Sequence, residues 1–393
     1  AGGGGGGGGG LDVLFMADIG HARGNKEDLT SPWPMSKCAH EGAFSLYDGL
    51  RDYVENQGAA PQAILVVGDV AYSGGNASVL NHTRDAFQQY LMGKVPEASV
   101  FPVIGNHDIH YMGCSAGERH ASTQPCYYGS AEKEFQSQPQ LTFQQWQSNW
   151  FAAFPGLLGS AISPPPGDRS QKEDGGWVAP TRYNLNLNKD SSVYIIAGLV
   201  SGAEALLRTS DSPRAAALDA AAAGGREVEC SFLRDSIAHG RSLGKTVFIY
   251  LTHHFHKSCD DWSLIRQIDI WIVGHKHNYW QNVEGGGVVV QEERNYPSRI
   301  VIGNGGFDQG VIDVVSFGHL REEFYGRGAA ARVRVHLDVK DTCLSAETCP
   351  SSSLGLTAHC WWKCKAQPGG FDGGGGARKA TPSKYGYGFT FDA

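Results

Sequence analysis

The chain has 393 residues with 41% hydrophobic and 19% charged residues, and its formal net charge is −7 at pH 7. This composition is typical of a soluble globular protein, and the absence of any stretch rich in Lys and Arg argues against a nucleic-acid or anionic-membrane partner. No apolar run approaches the roughly 20 residues that span a bilayer, so no membrane span is expected.

The first part of the chain alternates between strand and helix patterns. Residues 1–10, an alanine and nine glycines, are predicted to be a disordered lead-in. Strands are predicted at Leu11–Phe15, Ala63–Val67 and Ser99–Ile104, because each is a short, continuous apolar run. Helices are predicted between them, over residues 38–56 and 84–92. Strand, helix and strand in turn indicate an α/β fold with a parallel sheet.

The middle of the chain is less regular. Leu141–Phe154 is predicted to be a helix with Trp146, Trp150 and Phe154 on one face, which favours a core stripe over a cofactor-stacking surface. Ala215–Ala223 is interpreted as a low-complexity insertion, and Glu227–His239 as a helix. Further strands are predicted at residues 182–187, 193–199, 246–251, 268–273, 288–290, 299–302 and 331–339.

The cysteines indicate an oxidising compartment. Nine of them occur, at positions 38, 114, 126, 230, 259, 343, 349, 360 and 364. The last four lie in a Cys-, Gly- and Ser-rich stretch, interpreted as a C-terminal extension over residues 341–393 that follows a domain over 11–340. Local disulfides are expected there and around Cys114 and Cys126, and a zinc knuckle near His359 is the alternative. Asn76 and Asn81 begin glycosylation sequons, which agrees with a secreted or lumenal protein.

Polar side chains follow five of the predicted strands. They are Asp18; Asp69 with Tyr72; Asn106 with His107; His253 with His254; and His275 with His277. The carboxyl ends of parallel strands gather at one edge of a sheet, so we expect these side chains to converge. Carboxylates, imidazoles, an amide and a phenol suit borderline or hard transition metals. A structural zinc ion needs only four ligands, so the surplus predicts two metals that share a carboxylate.

These motifs resemble those of the calcineurin-like metallophosphoesterases. The matching segments, in that superfamily's order, are ADIG (17–20), GDVAY (68–72), GNHD (105–108), LTHH (251–254) and GHKH (274–277). The resemblance implies a four-layer α/β/β/α sandwich. Gly20, where most members have a histidine ligand, and Tyr72, three residues after the second aspartate, resemble the purple acid phosphatases. With no plant-type β-sandwich before the catalytic region, the chain resembles their small single-domain form.

The resemblance implies a role for each matching residue. Asp18, Asp69, Tyr72 and His277 would bind Fe(III), and Asp69 would bridge to a divalent zinc, iron or manganese ion. Asn106, His275 and either His253 or His254 would hold this second metal, with His253 preferred. His107 would bind phosphate and protonate the leaving group, while a metal-bound hydroxide attacks phosphorus in line. His254 and His256 are candidates for substrate binding, although a solvated loop histidine is the alternative for His256.

The activity implied is hydrolysis of small phosphate monoesters. A phosphodiesterase or nucleotide pyrophosphatase with the same metal core is an alternative, because loop walls separate these activities. A non-catalytic, metal-binding surface or matrix protein is another, because residues 255–262 depart from the usual proline-containing loop. The oligomeric state is left open by the sequence.

Overall fold

The computed structural model describes a set of separate ranges. These are residues 10–19, 50, 61–70, 77–86, 99–105, 108, 143–158, 162–163, 182–199, 214–254, 259–275, 298–301, 314–325, 332–343 and 387–392. The helices are α1 (Ala77–Ala86), α2 (Phe143–Ala153), α3 (Arg214–Ser242) and α4 (Trp262–Ile265), with a 3₁₀ turn at Pro155–Leu158. None of these helices has both the length and the apolarity that crossing a bilayer requires.

Twelve described strands form two six-stranded sheets. Those of the first sheet are β1 (Asp12–Met16), β2 (Ala63–Val67), β3 (Ser99–Val103), β10 (Val314–Tyr325), β11 (Arg332–Cys343) and β12 (Tyr387–Asp392). Those of the second are β4 (Ile162–Ser163), β5 (Tyr183–Leu185), β6 (Val193–Ala197), β7 (Val247–Thr252), β8 (Ile270–Val273) and β9 (Ser298–Val301).

Each of the two sheets combines neighbouring parallel strands with antiparallel ones. In the first, with order β12-β11-β10-β1-β2-β3, the neighbours β1, β2 and β3 are parallel and the rest antiparallel. In the second, with order β4-β5-β6-β7-β8-β9, the last four strands are parallel. Parallel strands buried on both faces read as continuous apolar runs, which is why AILVV and VFIYLT were recognisable from sequence alone.

Successive side chains along the strands of the second sheet point to opposite faces, and this divides the core into two clusters. Ile195, Ile249 and Ile272 belong to the same cluster as β1 and β2, so one face of the second sheet packs on the first sheet. Their neighbours Tyr194, Phe248, Tyr250 and Trp271 belong to another cluster with α3 and α4. Residues of α1 and α2 join the first cluster, among them Leu80, Trp146 and Trp150. The mixed α/β fold with two packed sheets is therefore confirmed.

The core position of the aromatic stripe on α2 is also confirmed. Trp146, Trp150 and Phe154 are buried, and their rings contact one another at centroid distances of 5.3 and 5.2 Å. A side chain so enclosed by its neighbours has no free ring face for a cofactor. The stripe therefore holds α2 against the first sheet.

One sequence interpretation was wrong. The alanine-rich stretch, residues 215–223, is the beginning of α3 and not an insertion outside the regular structure. Alanine has the highest helix propensity, because it loses no side-chain entropy in a helix, so such a run continues a helix that is anchored further along. The anchor is the later part of α3, where Phe232, Leu233 and Ile237 are buried.

The end of the chain contributes to the first sheet. β11 extends to Cys343 and β12 pairs with it, with Phe389 opposite Leu337. The predicted domain boundary between residues 340 and 341 thus falls inside β11. The predicted strand at residues 288–290 and the remaining tail lie outside the described residues, as does the helix predicted for residues 38–56 apart from residue 50.

Candidate metal centre

Two aspartates and three histidines follow strands at the same edge of the two sheets. Asp18 lies two residues after β1 and Asp69 two residues after β2. His253 and His254 come directly after β7, and His275 lies two residues after β8. Because the sheets pack face to face with these strand ends together, residues as far apart in sequence as Asp18 and His275 meet. Asp18, Asp69 and His253 are fully buried.

The backbone at these positions is unusual. Asp18, Asp69 and His275 have φ angles of 54°, 50° and 71°, and among the described residues they are the non-glycine residues with positive φ. Each such residue costs about 1–3 kcal/mol, which the surrounding structure must supply. Backbone bonds hold the turns: Asp18 N donates to Gly68 O at 3.1 Å, and His275 N donates to Asp18 Oδ2 at 2.8 Å.

The orientation of His253 is fixed from both sides of its ring. Nδ1 lies 3.0 Å from the carbonyl oxygen of Val67, which can only accept, so Nδ1 carries a hydrogen and donates it. Nε2 points the other way, 3.1 Å from Asp69 Oδ2 and 4.0 Å from Asp18 Oδ1. A backbone carbonyl on one ring nitrogen, with the other facing carboxylates, is the usual arrangement of a metal-binding histidine.

Without a metal, this environment favours the protonated imidazole. Burial alone lowers the pKa of His253, but the carboxylates of Asp69 and Asp18 and the hydrogen bonds to Asp69 and Val67 raise it from 6.5 to about 9. A divalent cation between the same groups would replace that proton and satisfy the same carboxylates. The raised pKa therefore reports a strongly negative pocket that attracts cations.

Small residues let the turns approach one another closely. A Cβ added at Gly68 would collide with the imidazole of His253, and one at Gly105 with the backbone nitrogen and side chain of Asp69. A Cβ at Gly274 would lie 2.7 Å from Asp18 Oδ2. Glycine at these positions thus allows the strand ends to close around the cluster of carboxylates and imidazoles.

The donor set fits a metal. Ligand atoms of Asp18, Asp69 and His253 lie within 4.8 Å of one another, and so do those of His253, His254 and His275. Buried carboxylates beside neutral imidazole nitrogens suit zinc, iron, nickel and copper better than magnesium or calcium. When bound, such ions lower the pKa of coordinated water and neutralise charge on a phosphoryl group.

The segment from residue 11 to residue 279 matches the family model of the calcineurin-like phosphoesterases. The chain belongs to this family. A solved structure that it resembles is the purple acid phosphatase from seeds of yellow lupin (Lupinus luteus), with 13% sequence identity and a TM-score of 0.43. That alignment covers 84% of this chain and 51% of the lupin chain, so this chain corresponds to about half of the lupin protein. No curated protein matches the sequence.

Five of the predicted site residues come together in the structure. The five are Asp18, Asp69, His253, His254 and His275. Tyr72, Asn106, His107, His256 and His277, and also Gly20, lie outside the described residues. Their roles remain predictions.

The residues on either side of Asn106 and His107 are described. Asp108 Oδ2 accepts a hydrogen bond from Gly105 N at 2.7 Å, so the residues directly before and after the two predicted site residues are hydrogen-bonded to each other. Trp146 Nε1 on α2 donates to Asp108 O at 2.8 Å. The aromatic stripe therefore also holds the backbone at Asp108, directly after the two predicted site residues.

Sequence reasoning missed the residues that support the histidines. Trp271 Nε1 donates to Thr252 Oγ1 at 2.9 Å, and Thr252 Oγ1 donates to His254 O at 3.2 Å. A disulfide joins Cys230 on α3 to Cys259, which follows His254 after residues 255–258. In the sequence, the one sign of this support is the hydroxyl of Thr252 directly before the histidine pair. No local pattern indicates that Cys230 pairs with Cys259.

The two sequons are only partly described. Asn76 lies outside the described residues, whereas Asn81 is half-buried in α1 and Thr83 of the same sequon is fully buried. Glycosylation at both sites remains a prediction.

Proposed function

We propose that this phosphoesterase is a purple acid phosphatase-like enzyme that hydrolyses small phosphate monoesters with two metal ions. The observation that carries the proposal is the convergence of Asp18, Asp69, His253, His254 and His275, from four strand ends on two sheets, into two donor groups that overlap at His253. Donors arranged around two centres support a pair of ions, and the resemblance of the motifs implies that Asp69 is the shared carboxylate.

The ligand assignment extends the described cluster with residues of the matching motifs. Asp18, Asp69, Tyr72 and His277 would hold Fe(III). The second ion, divalent zinc, iron or manganese, would be held by Asp69, Asn106, His253 and His275. A phenolate from Tyr72 is a hard anionic donor, and this is the reason for expecting ferric iron at the first position.

The protein's own groups would bind the substrate and move a proton. His107 of the matching GNHD motif would contact a phosphate held at the metals and could protonate the leaving oxygen. His256 is a further candidate for contact with the substrate. An alcohol leaves poorly as an alkoxide, so this proton transfer is the step in which the protein contributes most beyond the metals.

We also propose a secreted or lumenal location. The Cys230–Cys259 disulfide supports it, because disulfides persist in oxidising compartments and are rare in the cytosol. Thiol titration of the unfolded, unreduced protein tests it. Reaction at all nine cysteines would overturn both the disulfide and the location.

The experiment that tests the activity starts from protein purified in air. Metal content, visible absorption, and turnover of p-nitrophenyl phosphate and its bis ester are measured together. Two metals per chain, one of them iron, with faster hydrolysis of the monoester, are expected. Faster hydrolysis of the bis ester would favour a phosphodiesterase, and bound metals with no turnover of either ester would favour a non-catalytic metal-binding protein.

Two variants test the assigned roles. Tyr72→Phe should remove the visible band that phenolate on ferric iron produces, and an unchanged band would rule out this ligand. His107→Gln should retain the metals and lower turnover of an alkyl phosphate monoester, whose alcohol needs a proton to leave, by roughly 10²- to 10⁴-fold, the usual effect of losing a general acid.

A further inference from the structure

Two adjacent histidines follow β7, and from sequence they are competing candidates for one ligand position. The structure brings both into the cluster on different sides. His253 Nε2 faces Asp69 and Asp18. The ring of His254 instead stacks on His275, with centroids 3.7 Å apart and planes inclined by 26°. The two histidines therefore lie against different partners.

His254 does not face solvent as a loop histidine would. Only 8% of the residue is exposed, and a ligand nitrogen of its ring lies within 4.8 Å of those of His253 and His275. The ligand nitrogens of the three rings thus lie in one small region. Three imidazole donors are as many protein ligands as many catalytic zinc sites have.

The backbone of His254 is held from the strand side. Thr252 is fully buried, and its hydroxyl donates to the carbonyl oxygen of His254 while it accepts from the indole of Trp271. Trp271 is on β8, the strand that leads to His275. This hydrogen-bonded path ties the turn after β7 to the adjacent strand. The backbone position of His254 is thus fixed by contacts within the second sheet.

We propose that His253 and His254 both bind metal, so that His254 is an additional imidazole ligand of the second ion beside His253 and His275. The proposal rests on the metal centre of the proposed function. Imidazole donors favour zinc, nickel and copper, whereas carboxylate and water ligands suit manganese and magnesium. An added imidazole therefore shifts this chain's second position toward zinc.

Proton NMR of the Co(II)-loaded protein counts the ligands directly. Each bound imidazole gives a strongly shifted, solvent-exchangeable N–H signal, so one is expected for each of His253, His254, His275 and His277. His254→Ala should lose one of them. The matched control is His239→Gln, which removes an imidazole from α3, where it packs against Tyr194 outside the cluster. The control should retain every shifted signal.

Metal affinity provides the second readout. Loss of a group that only supports a metal ligand typically weakens metal binding by roughly 10- to 100-fold. His254→Ala, which removes a ligand itself, should weaken Zn²⁺ binding by at least as much and should weaken Mn²⁺ binding less. An unchanged set of shifted signals with unchanged Zn²⁺ affinity would overturn the proposal. If KM alone rose in such a variant, His254 would be a substrate contact instead.

Further variants protect the test against misfolding. If His254→Ala does not fold, His254→Asn replaces it. The Co(II)-loaded wild-type protein also tests the proposal by itself, because a spectrum in which no shifted N–H signal arises from His254 would refute it. Thr252→Val should lower Zn²⁺ affinity and Thr252→Ser should restore it. Failure of the proposed function is distinguishable, because a wild-type protein with all four imidazoles bound but no phosphatase turnover would refute the activity and leave the ligand assignment intact.

Discussion

Nε2 of His253 lies 3.1 Å from Oδ2 of Asp69, with both side chains fully buried. The first contributes an imidazole from the second sheet and the second a carboxylate from the first sheet. A metal ion between them would therefore join the two sheets, and in its absence a proton does so.

Metal binding at this contact should compete with a proton. The carboxylates and hydrogen bonds around His253 outweigh burial and raise its pKa to about 9, so the metal must displace a proton below that pH. We expect the apparent affinity for Zn²⁺ to rise about tenfold per pH unit from neutral pH to about 9, through this one proton. Competition with a chromophoric chelator measures it, and an affinity independent of pH would contradict the prediction.

The same pKa predicts the opposite trend for the metal-free protein. A folded-state pKa raised above 6.5 means that the protonated His253 stabilises the fold fully below pH 6.5, and this contribution is lost as the pH rises through about 9. Urea unfolding of the chelated protein at several pH values should show stability declining across this interval. Excess metal should abolish the decline.

Gly68→Ala tests the close approach of β2 to His253. Both Gly68 and Gly244 have left-handed backbone, with φ of 84° and 77°, so alanine costs about 1–2 kcal/mol of unfolding free energy at either. Only at Gly68 would the new methyl group collide with His253, whereas at Gly244 nothing lies within 4 Å. Gly68→Ala should therefore be the more destabilising variant and should also weaken Zn²⁺ binding. Equal effects of the two substitutions on unfolding and on metal affinity would refute this reasoning.

A buried carboxylate connects α3 to the second sheet. Glu229 accepts hydrogen bonds from Arg182 Nε, from Tyr250 Oη at 2.6 Å and from Leu199 N at 3.1 Å. Glu229→Ala removes the anion that faces a buried guanidinium, which costs roughly 3–5 kcal/mol. Glu227 is exposed on the same helix, so Glu227→Ala should change the unfolding free energy little. Chemical denaturation compares them, and similar losses would contradict the assigned role.

The disulfide should contribute to stability measurably. Cys230 and Cys259 are 29 residues apart, and closing such a loop stabilises a fold by about 3 kcal/mol through the unfolded state. A reductant should lower the urea midpoint of the wild-type protein more than that of the Cys230→Ser/Cys259→Ser double variant. A reductant effect of equal size in the double variant would place the sensitivity in other cysteines.

The sequence predicted the strands that carry the site because they are parallel and buried. Ala63–Val67 and Val247–Thr252 are continuous apolar runs, and polar residues follow each at once. Antiparallel strands were harder to recognise. β10 contains His319, Arg321, Glu322 and Glu323, and β12 contains three aromatic residues that alternate with small and polar ones. Such strands are defined by their neighbours in the ladder more than by their own composition.

The details of the cluster depend on tertiary structure. Asp69 and His253 could be named as ligands because each ends a buried strand, but their 3.1 Å contact arises from the packing of two sheets. The stacking of His254 on His275 depends in the same way on two turns, because these residues are 21 positions apart in the sequence. Local pattern identifies which residues have useful chemistry, and the packing of the strands decides which atoms meet.

Asp18, Asp69 and His275 have left-handed backbone, which costs stability, whereas the proposed activity needs their side chains. Selection for heat resistance and selection for turnover therefore favour different residues at these three positions. Glycine adopts this conformation at little cost, and asparagine tolerates it well. Directed evolution that screens only for heat resistance should therefore accumulate glycine and asparagine at the three positions. The resulting proteins should be more stable but inactive. Only a screen that also demands phosphoester cleavage would keep the carboxylates and the imidazole.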